Sequence, residues 1–443
     1  MTRICYCILC LVSVACMYSY SQQKEDSRVP YEGLKKEIEQ LRGQLDSLKT
    51  AQTLGGAQAG EVGEADIERL EKRMRELENK IDAVARSTAA IVFNPRTTAF
   101  SNVAARSDNK SVLDASGVAK IDNRPFLRTI ELDFRAPVDP YAEAIAIISI
   151  EDEAGTGFAI DPEEAYGLLK RLPILESAPL GLKLKVGKFR APLGVNNRLH
   201  MHDLPWTTRP LAVSRFLGTE HGEFFESGYN PVGVDLDFFL PNPIPSTTLE
   251  MNLDVVRSGE LALSQGHEVN QPAYIGHLNL SADWNNEHLV ILGASGYAER
   301  GPSSTSLLGL DLTYKWAPSE RRQSRSFVAG GEAFFGKHTY EDSSLTEATT
   351  KPNGWFAYVQ YQLSYWLYLG GRFDWVQEPT DETVKTKSWS LYASYYTTEF
   401  MRLRLGFEHR ESDIPGQDNL STVLVEINFV FGSHPTEPYW VNR

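Results

Sequence analysis

Beyond residue 16 the chain contains no cysteine. All four, Cys5, Cys7, Cys10 and Cys16, fall within the first sixteen of 443 residues. The rest of the chain is therefore free of disulfides and of cysteine-ligated metal centres. After residue 21 there is no apolar run of the ~18 residues that a membrane-crossing helix needs. Positive charge is also short: 44 Lys and Arg stand against 58 Asp and Glu, a net charge of −14. That balance argues against a nucleic-acid partner, which requires a basic face to displace phosphate counterions. HExxH, GxSxG, phosphate-loop spacings and a GxGxxG opening a helix are all lacking. No enzymatic activity and no cofactor are expected. His277 and Ser281, four apart on one strand face, are read as polar lining rather than a hydrolytic pair.

What is present begins with Arg3 and the apolar run from Ile4 to Ala15, closed by Ser19-Tyr20-Ser21. Residues 1–21 read as a secretory signal peptide. A lipoprotein signal ending at Cys16, after Ser13-Val14-Ala15, is the competing reading. Residues 22–33 are polar and read as a disordered linker. Leu34, Ile38, Leu41, Leu45 and Leu48 then alternate spacings of four and three. The pattern pauses at a glycine-rich break, 55–60, and resumes at Ile67, Leu70, Met74, Leu77, Ile81 and Val84. Residues 34–88 thus predict an α-helical coiled coil, with a single helix or hairpin as the alternative.

From Ala90 the period changes from 3.5 to 2. About sixteen strands can be read between Ala90 and Phe431, and a count of fourteen to eighteen is compatible with the pattern. Leu403, Leu405 and Phe407, for example, alternate with Arg402, Arg404 and Glu408. Short links at Val138–Pro140, Asn242–Pro245, Asn286–Glu287, Trp366 and Thr398–Glu399 alternate with long ones. The long links are Ser101–Arg128, Ala191–Asn230, Arg257–Ala273, His338–Gly354, Gln377–Thr386 and Glu411–Asn419. Aromatic residues (Trp284, Trp316, Trp355, Tyr365, Trp375, Trp389, Phe431) mark strand ends on the apolar face. Short turns on one rim, long loops on the other and aromatic girdles are features of membrane barrels. The fold class is therefore all-β: a transmembrane antiparallel β-barrel over 89–432, with a tail at 433–443, preceded by the coiled coil. The third loop of the outer rim, 191–230, is aromatic-rich and has no period. It is expected to fold into the barrel and narrow it.

Val138-Asp139-Pro140-Tyr141, Gly187-Lys188-Phe189-Arg190, Asn197 to Pro205, Arg209-Pro210-Leu211, Phe216-Leu217-Gly218 and Phe431-Gly432-Ser433-His434-Pro435 carry a resemblance. They resemble a family of porin-like bacterial outer-membrane proteins, some of which are labelled zinc-regulated TonB-dependent receptors. The likeness covers roughly residues 90–440. A coiled coil before a barrel is similar to the phosphate-selective porins, a weaker likeness. The chain lacks the separate plug domain that the receptor label implies. The resemblance implies an outer-membrane location, lipid around the barrel and a homotrimer joined through a periplasmic coiled coil.

The third loop carries Arg190, Arg198, His200, His202, Arg209 and Arg215 with only Asp203 opposing, then Glu220, Glu223 and Glu226. These are the constriction candidates, with Lys183, Lys185, Asp235, Asp237, Arg402 and Arg404 as lumen lining. The other predicted lumen positions lean acidic: Glu131, Asp133, Glu250, Asp254 and Asp311, against Arg135. A basic loop would then face an acidic wall, unless the loop charges pair among themselves. The function expected is passive passage of small hydrophilic solutes. One alternative is an anchor or surface-binding protein whose coiled coil reaches peptidoglycan. Another is metal-ion uptake through His200 and His202, which are weak ligand candidates because two histidines do not make a closed site.

Overall fold

A computed structural model describes Leu41, Lys72, Arg73 and residues 95–432, apart from 111, 114–118, 122, 154–156, 173–177, 219–227, 265–269, 342–345 and 415–417. Leu41, Lys72 and Arg73 are helical. The signal peptide, linker, tail and all the rest of the coiled-coil segment lie outside the described residues.

Sixteen long strands form one closed antiparallel sheet. They are β1 (Arg96–Asp108), β2 (Pro125–Pro137), β3 (Ala142–Glu153), β4 (Gly157–Leu169), β5 (Lys183–Lys188), β6 (Val232–Leu240), β7 (Thr247–Val256) and β8 (Ala273–Trp284). The second half comprises β9 (His288–Arg300), β10 (Ser304–Trp316), β11 (Ser326–Glu341), β12 (Asn353–Gln362), β13 (Leu367–Glu378), β14 (Asp381–Thr398), β15 (Met401–Ser412) and β16 (Leu420–Phe431). A short strand, Glu347–Thr350, extends the pairing of β11. The sheet closes where β1 pairs with both β2 and β16. Because Ala99 lies opposite Phe431, both ends of the barrel emerge at one rim, that of the short turns.

The alternation read from the sequence has a physical consequence opposite to that in a soluble protein. On β10, Leu308, Leu310 and Leu312 point outward and are about half exposed, while Asp311 points inward and is buried. On β16, Val423, Val425, Ile427 and Phe429 face out, and Thr422, Glu426 and Asn428 are buried inside. An apolar outer belt around a polar interior fits lipid outside and solute or protein inside. At the short-turn rim, Trp284, His288 and Tyr314 stack in series. Among the described residues no helix is long and apolar enough to cross a membrane.

Three expectations need correction. The first strand begins at Arg96, not Ala90, and runs on to Asp108. The link expected over Gln377–Thr386 is mostly strand. β13 continues to Glu378 and β14 starts at Asp381, because Glu378 pairs with Asp381 across the two-residue turn Pro379-Thr380, and the Asp381 carboxylate accepts the Thr383 amide hydrogen at the start of β14. The turn expected at Trp366 alone spans 363–366, closed by Leu363 N donating to Leu367 O.

Candidate functional site

The described part of the connection between β5 and β6, 189–218 and 228–231, folds inside the barrel. Phe189, Ala191, Leu193, Met201, Leu204, Trp206, Val213, Phe216 and Leu217 are buried in one cluster with inward-facing Ile275, Tyr297, Phe334, Phe356, Val376 and Tyr392 of the wall. Each large apolar side chain removed from water contributes about 1.5–3 kcal/mol. Trp206 packs edge-on to Tyr358 at 4.7 Å, with Arg372 stacked over its ring at 5.1 Å.

Polar wall residues satisfy the backbone of this loop, which has little regular structure of its own. Glu332 of β11 accepts from Val195 N, Asn196 N and Asn196 Nδ2. Gly194 precedes that turn at φ 72°, and a Cβ there would collide with the Glu332 carboxylate. Asp374 of β13 accepts from Leu211 N at the start of a short helix, α1 (Leu211–Phe216). On the other side arginines donate to loop carbonyls. Arg402 reaches His202 O at 3.0 Å, and Arg404 reaches Trp206 O at 2.6 Å and Leu204 O at 2.7 Å. Arg372 reaches Thr208 O at 2.5 Å, and Arg128 donates to Thr207 O. Glu426 balances this group, meeting Arg402 at 2.8 Å, Arg128 at 3.1 Å and Arg404 at 3.4 Å.

The candidates from the sequence separate into paired and structural roles. Arg190 is buried against Glu163 at 2.8 Å. Arg215 meets Glu378 at 3.3 Å. Arg209 is fully buried and donates to Asn196 O and Leu199 O, so it braces the loop from within. Lys183 and Lys185 pair across strands with Asp237 and Asp235. Arg198 is half-buried near Glu250 and Asp254. Asp203 lies 3.6 Å from His202. Glu220, Glu223 and Glu226 lie outside the described residues. Basic loop groups do face wall carboxylates, but a set of wall arginines also faces the loop. Arg128, Arg372, Glu332, Asp374 and Glu426 were not singled out from sequence. The signal they carry is charge at i, i+2 on an inward face, as in Arg372-x-Asp374 and Arg402-x-Arg404.

His200 and His202 share a carboxylate. His200 Nδ1 is 3.2 Å from Glu131, its Nε2 is 3.2 Å from Glu164, and His202 Nδ1 is 3.0 Å from Glu131. Phe100 stacks on His202 at 3.7 Å. Burial opposes the charged imidazolium at both sites, and Arg190 opposes it at His200. The facing carboxylates outweigh this: Glu131 and Glu164 hold His200 well above its ordinary value, and Glu131 and Asp203 raise His202. Among the described residues no group of three or more His, Cys, Asp or Glu is arranged to hold a metal ion.

Two expected outcomes follow from these contacts. Glu332→Ala strips acceptors from three donors, at about 1–3 kcal/mol for each one left buried. The loop should loosen, and tryptic cleavage after Arg198 should accelerate about tenfold or more for each 1.4 kcal/mol lost. An unchanged cleavage rate would remove the anchoring role of Glu332. The second concerns pH. Both imidazoles have folded values above the unfolded value of about 6.5. Their contribution is complete below that pH and is lost as pH rises through the raised folded values. Loop protection from trypsin should therefore weaken toward alkaline pH, and the trend should flatten when His200→Gln and His202→Gln are combined.

No family model matches the chain, so the zinc-regulated receptor label gains no support there. A protein of Aquifex aeolicus (strain VF5), described as uncharacterized, is 27% identical over 354 residues, 71% of this chain and 70% of that one. Among solved structures, an anion-selective porin from Comamonas acidovorans aligns over 76% of this chain and 99% of its own, with a TM-score of 0.50 and 11% identity. The outer-membrane channel DcaP of Acinetobacter baumannii aligns over 76% and 97%, with a TM-score of 0.49 and 11% identity. Salmonella typhi OmpF aligns over 76% and 98%, with a TM-score of 0.46 and 10% identity. At 11% identity the likeness to the Comamonas acidovorans porin is one of fold alone: a closed antiparallel barrel.

Proposed function

We propose that the chain is an outer-membrane channel for passive passage of small hydrophilic solutes, and that the 191–230 loop is its constriction. The observation that carries this reading is the seating of the loop inside a sixteen-stranded barrel, anchored on β2, β4, β11, β13 and β15. A barrel of that size without an inner loop leaves an aqueous passage. The loop brings apolar bulk into it. Liposome swelling with sugars of increasing size tests this. Uptake should fall steeply over a narrow range of solute size. Equal rates for all sugars, or no swelling at all, would contradict it.

In the same reading, residues 22–88 lie in the periplasm and join three chains through the Leu34–Leu48 and Ile67–Val84 seams. An exposed apolar seam is unfavourable by about 25 cal/mol per Å². Chain association about the membrane normal removes that cost. Deleting residues 30–86 is expected to abolish or weaken a trimer seen by native mass spectrometry in detergent. A full-length mature chain that flies as a monomer would leave a single helix or hairpin instead. Peptidoglycan binding by residues 22–88, tested by pull-down, belongs to the anchor reading and is not needed for the channel.

A further inference from the structure

Below the loop, toward the short-turn rim, lies a cavity of about 290 Å³. Its roof is Val195, Asn196, Leu199, Pro205 and Trp206 of the loop. Its floor and walls come from inward positions of β8 to β12, and they are unusual for an aqueous lumen. Leu289, Ile291, Val328 and Tyr358 give it an apolar lining, broken by Asn279, Ser281, Thr313 and one cation, Lys315.

The register explains the setting of that cation. Lys315 lies opposite Leu289 on one neighbouring strand and Val328 on the other. Both flanks of the ammonium stem are therefore apolar. Among the described residues Lys315 has no ion pair, and the charged neighbour acting on it is Arg322, of the same sign. Asp283 lies in the same cross-strand row, two strands away. It is exposed at the rim and accepts the Asn286 amide hydrogen. Glu332, in the next row but one, is occupied by the donors of the loop. Thr313 stands two residues before Lys315 on the same face, opposite Ile291, which in turn lies opposite Ser281. Two hydroxyls thus share the lining with the cation. The Asn279 Oδ1 atom is shielded from solvent without a hydrogen bond among the described residues.

We propose that this cavity binds a small organic monoanion with a flat apolar body, its carboxylate on Lys315 and its ring against the apolar lining that Trp206, Tyr358 and Leu289 provide. The proposal rests on the channel reading for how the ligand arrives, not for how it is held. A lone ammonium in apolar surroundings favours an anion, because no carboxylate among the described residues pairs with it. An apolar wall discriminates against hydrated inorganic ions, which keep their water and gain nothing from it. The volume is at the small end of ligand pockets, about 300–1,000 Å³, and suits a single ring with one charged substituent.

Benzoate is the probe, titrated by calorimetry into the full-length protein in amphipol. Binding is expected, with acetate and benzylamine each weaker by about tenfold or more. Lys315→Gln should weaken benzoate about tenfold or more, and Lys315→Arg should keep it within about threefold. Heat-modifiable migration on gels checks that each variant is folded. Equal affinity for benzoate and benzylamine, or an unchanged affinity in Lys315→Gln, would overturn the proposal. Single-channel recording of the same samples separates the two readings. Lysine-dependent benzoate binding by a protein that carries no current keeps the site and removes the channel. Current without benzoate binding keeps the channel and removes the site.

Discussion

Replacing Glu426 by Ala is expected to be the most damaging single substitution in the barrel. The carboxylate lies within 3.4 Å of Arg128, Arg402 and Arg404, and all four side chains are at most 2% exposed. Removing it leaves three guanidiniums in a buried cluster without the carboxylate that they share, while they still donate to the loop carbonyls. Breaking a buried pair from one side typically costs about 3–5 kcal/mol. The loss is not confined to the wall, because these arginines hold the carbonyls of His202, Leu204, Trp206 and Thr207. The urea midpoint of the refolded protein should fall steeply, and the loop should become protease-sensitive well before the barrel unfolds. Glu426→Asp should retain part of the stability, since the charge remains at a shorter reach. A midpoint equal to that of the unaltered chain would mean that the arginines are neutralised elsewhere.

Excising 196–216 and joining Val195 to Leu217 by a short Gly-Ser link is the second large expected effect. The segment removed contains the Asn196 turn, both histidines, Trp206 and α1. It takes with it eight of the 24 buried residues of the apolar cluster inside the barrel. The strand pairing does not depend on it, because β5 and β6 remain hydrogen-bonded to each other from Lys183↔Asp237 to Lys188↔Val232. The barrel should still fold, less stably, and with a wider passage. Single-channel conductance should rise about threefold or more, as expected when a constriction is removed from a sixteen-stranded pore. Wall charges now tied to the loop would face the lumen, so ion selectivity should change as well. A variant that folds yet conducts as before would show that the loop does not set the narrowest point.

Much of the barrel was legible because a strand's period of two survives without knowledge of its partners. β10 alternates from Leu308 to Trp316 and β15 from Met401 to Glu408, and the strand count followed from the turns between such runs. The third loop was legible as an interruption of that period. What holds it was not. Glu332 meets Asn196 across 136 positions and Arg404 meets Trp206 across 198. No local pattern records a contact of that range. The loop cations looked free to line a pore because their acids, Glu131, Glu163 and Glu164, sit on strands read only as lumen or not singled out. The apolar cavity was hidden for a different reason. His288–Leu292 reads His-Leu-Val-Ile-Leu, so both faces of that strand are apolar and alternation cannot say which one enters the lumen. The tight turn after Glu378 was missed because the polar strand residues Asp381–Thr386 have the composition of a loop.

The most direct test of the central claim is single-channel recording of the refolded full-length chain in planar bilayers, beside the 196–216 excision. The account predicts discrete steps from the unaltered chain and larger steps from the excised one. No current from either protein, with both shown to be folded, would contradict a channel narrowed by its third loop.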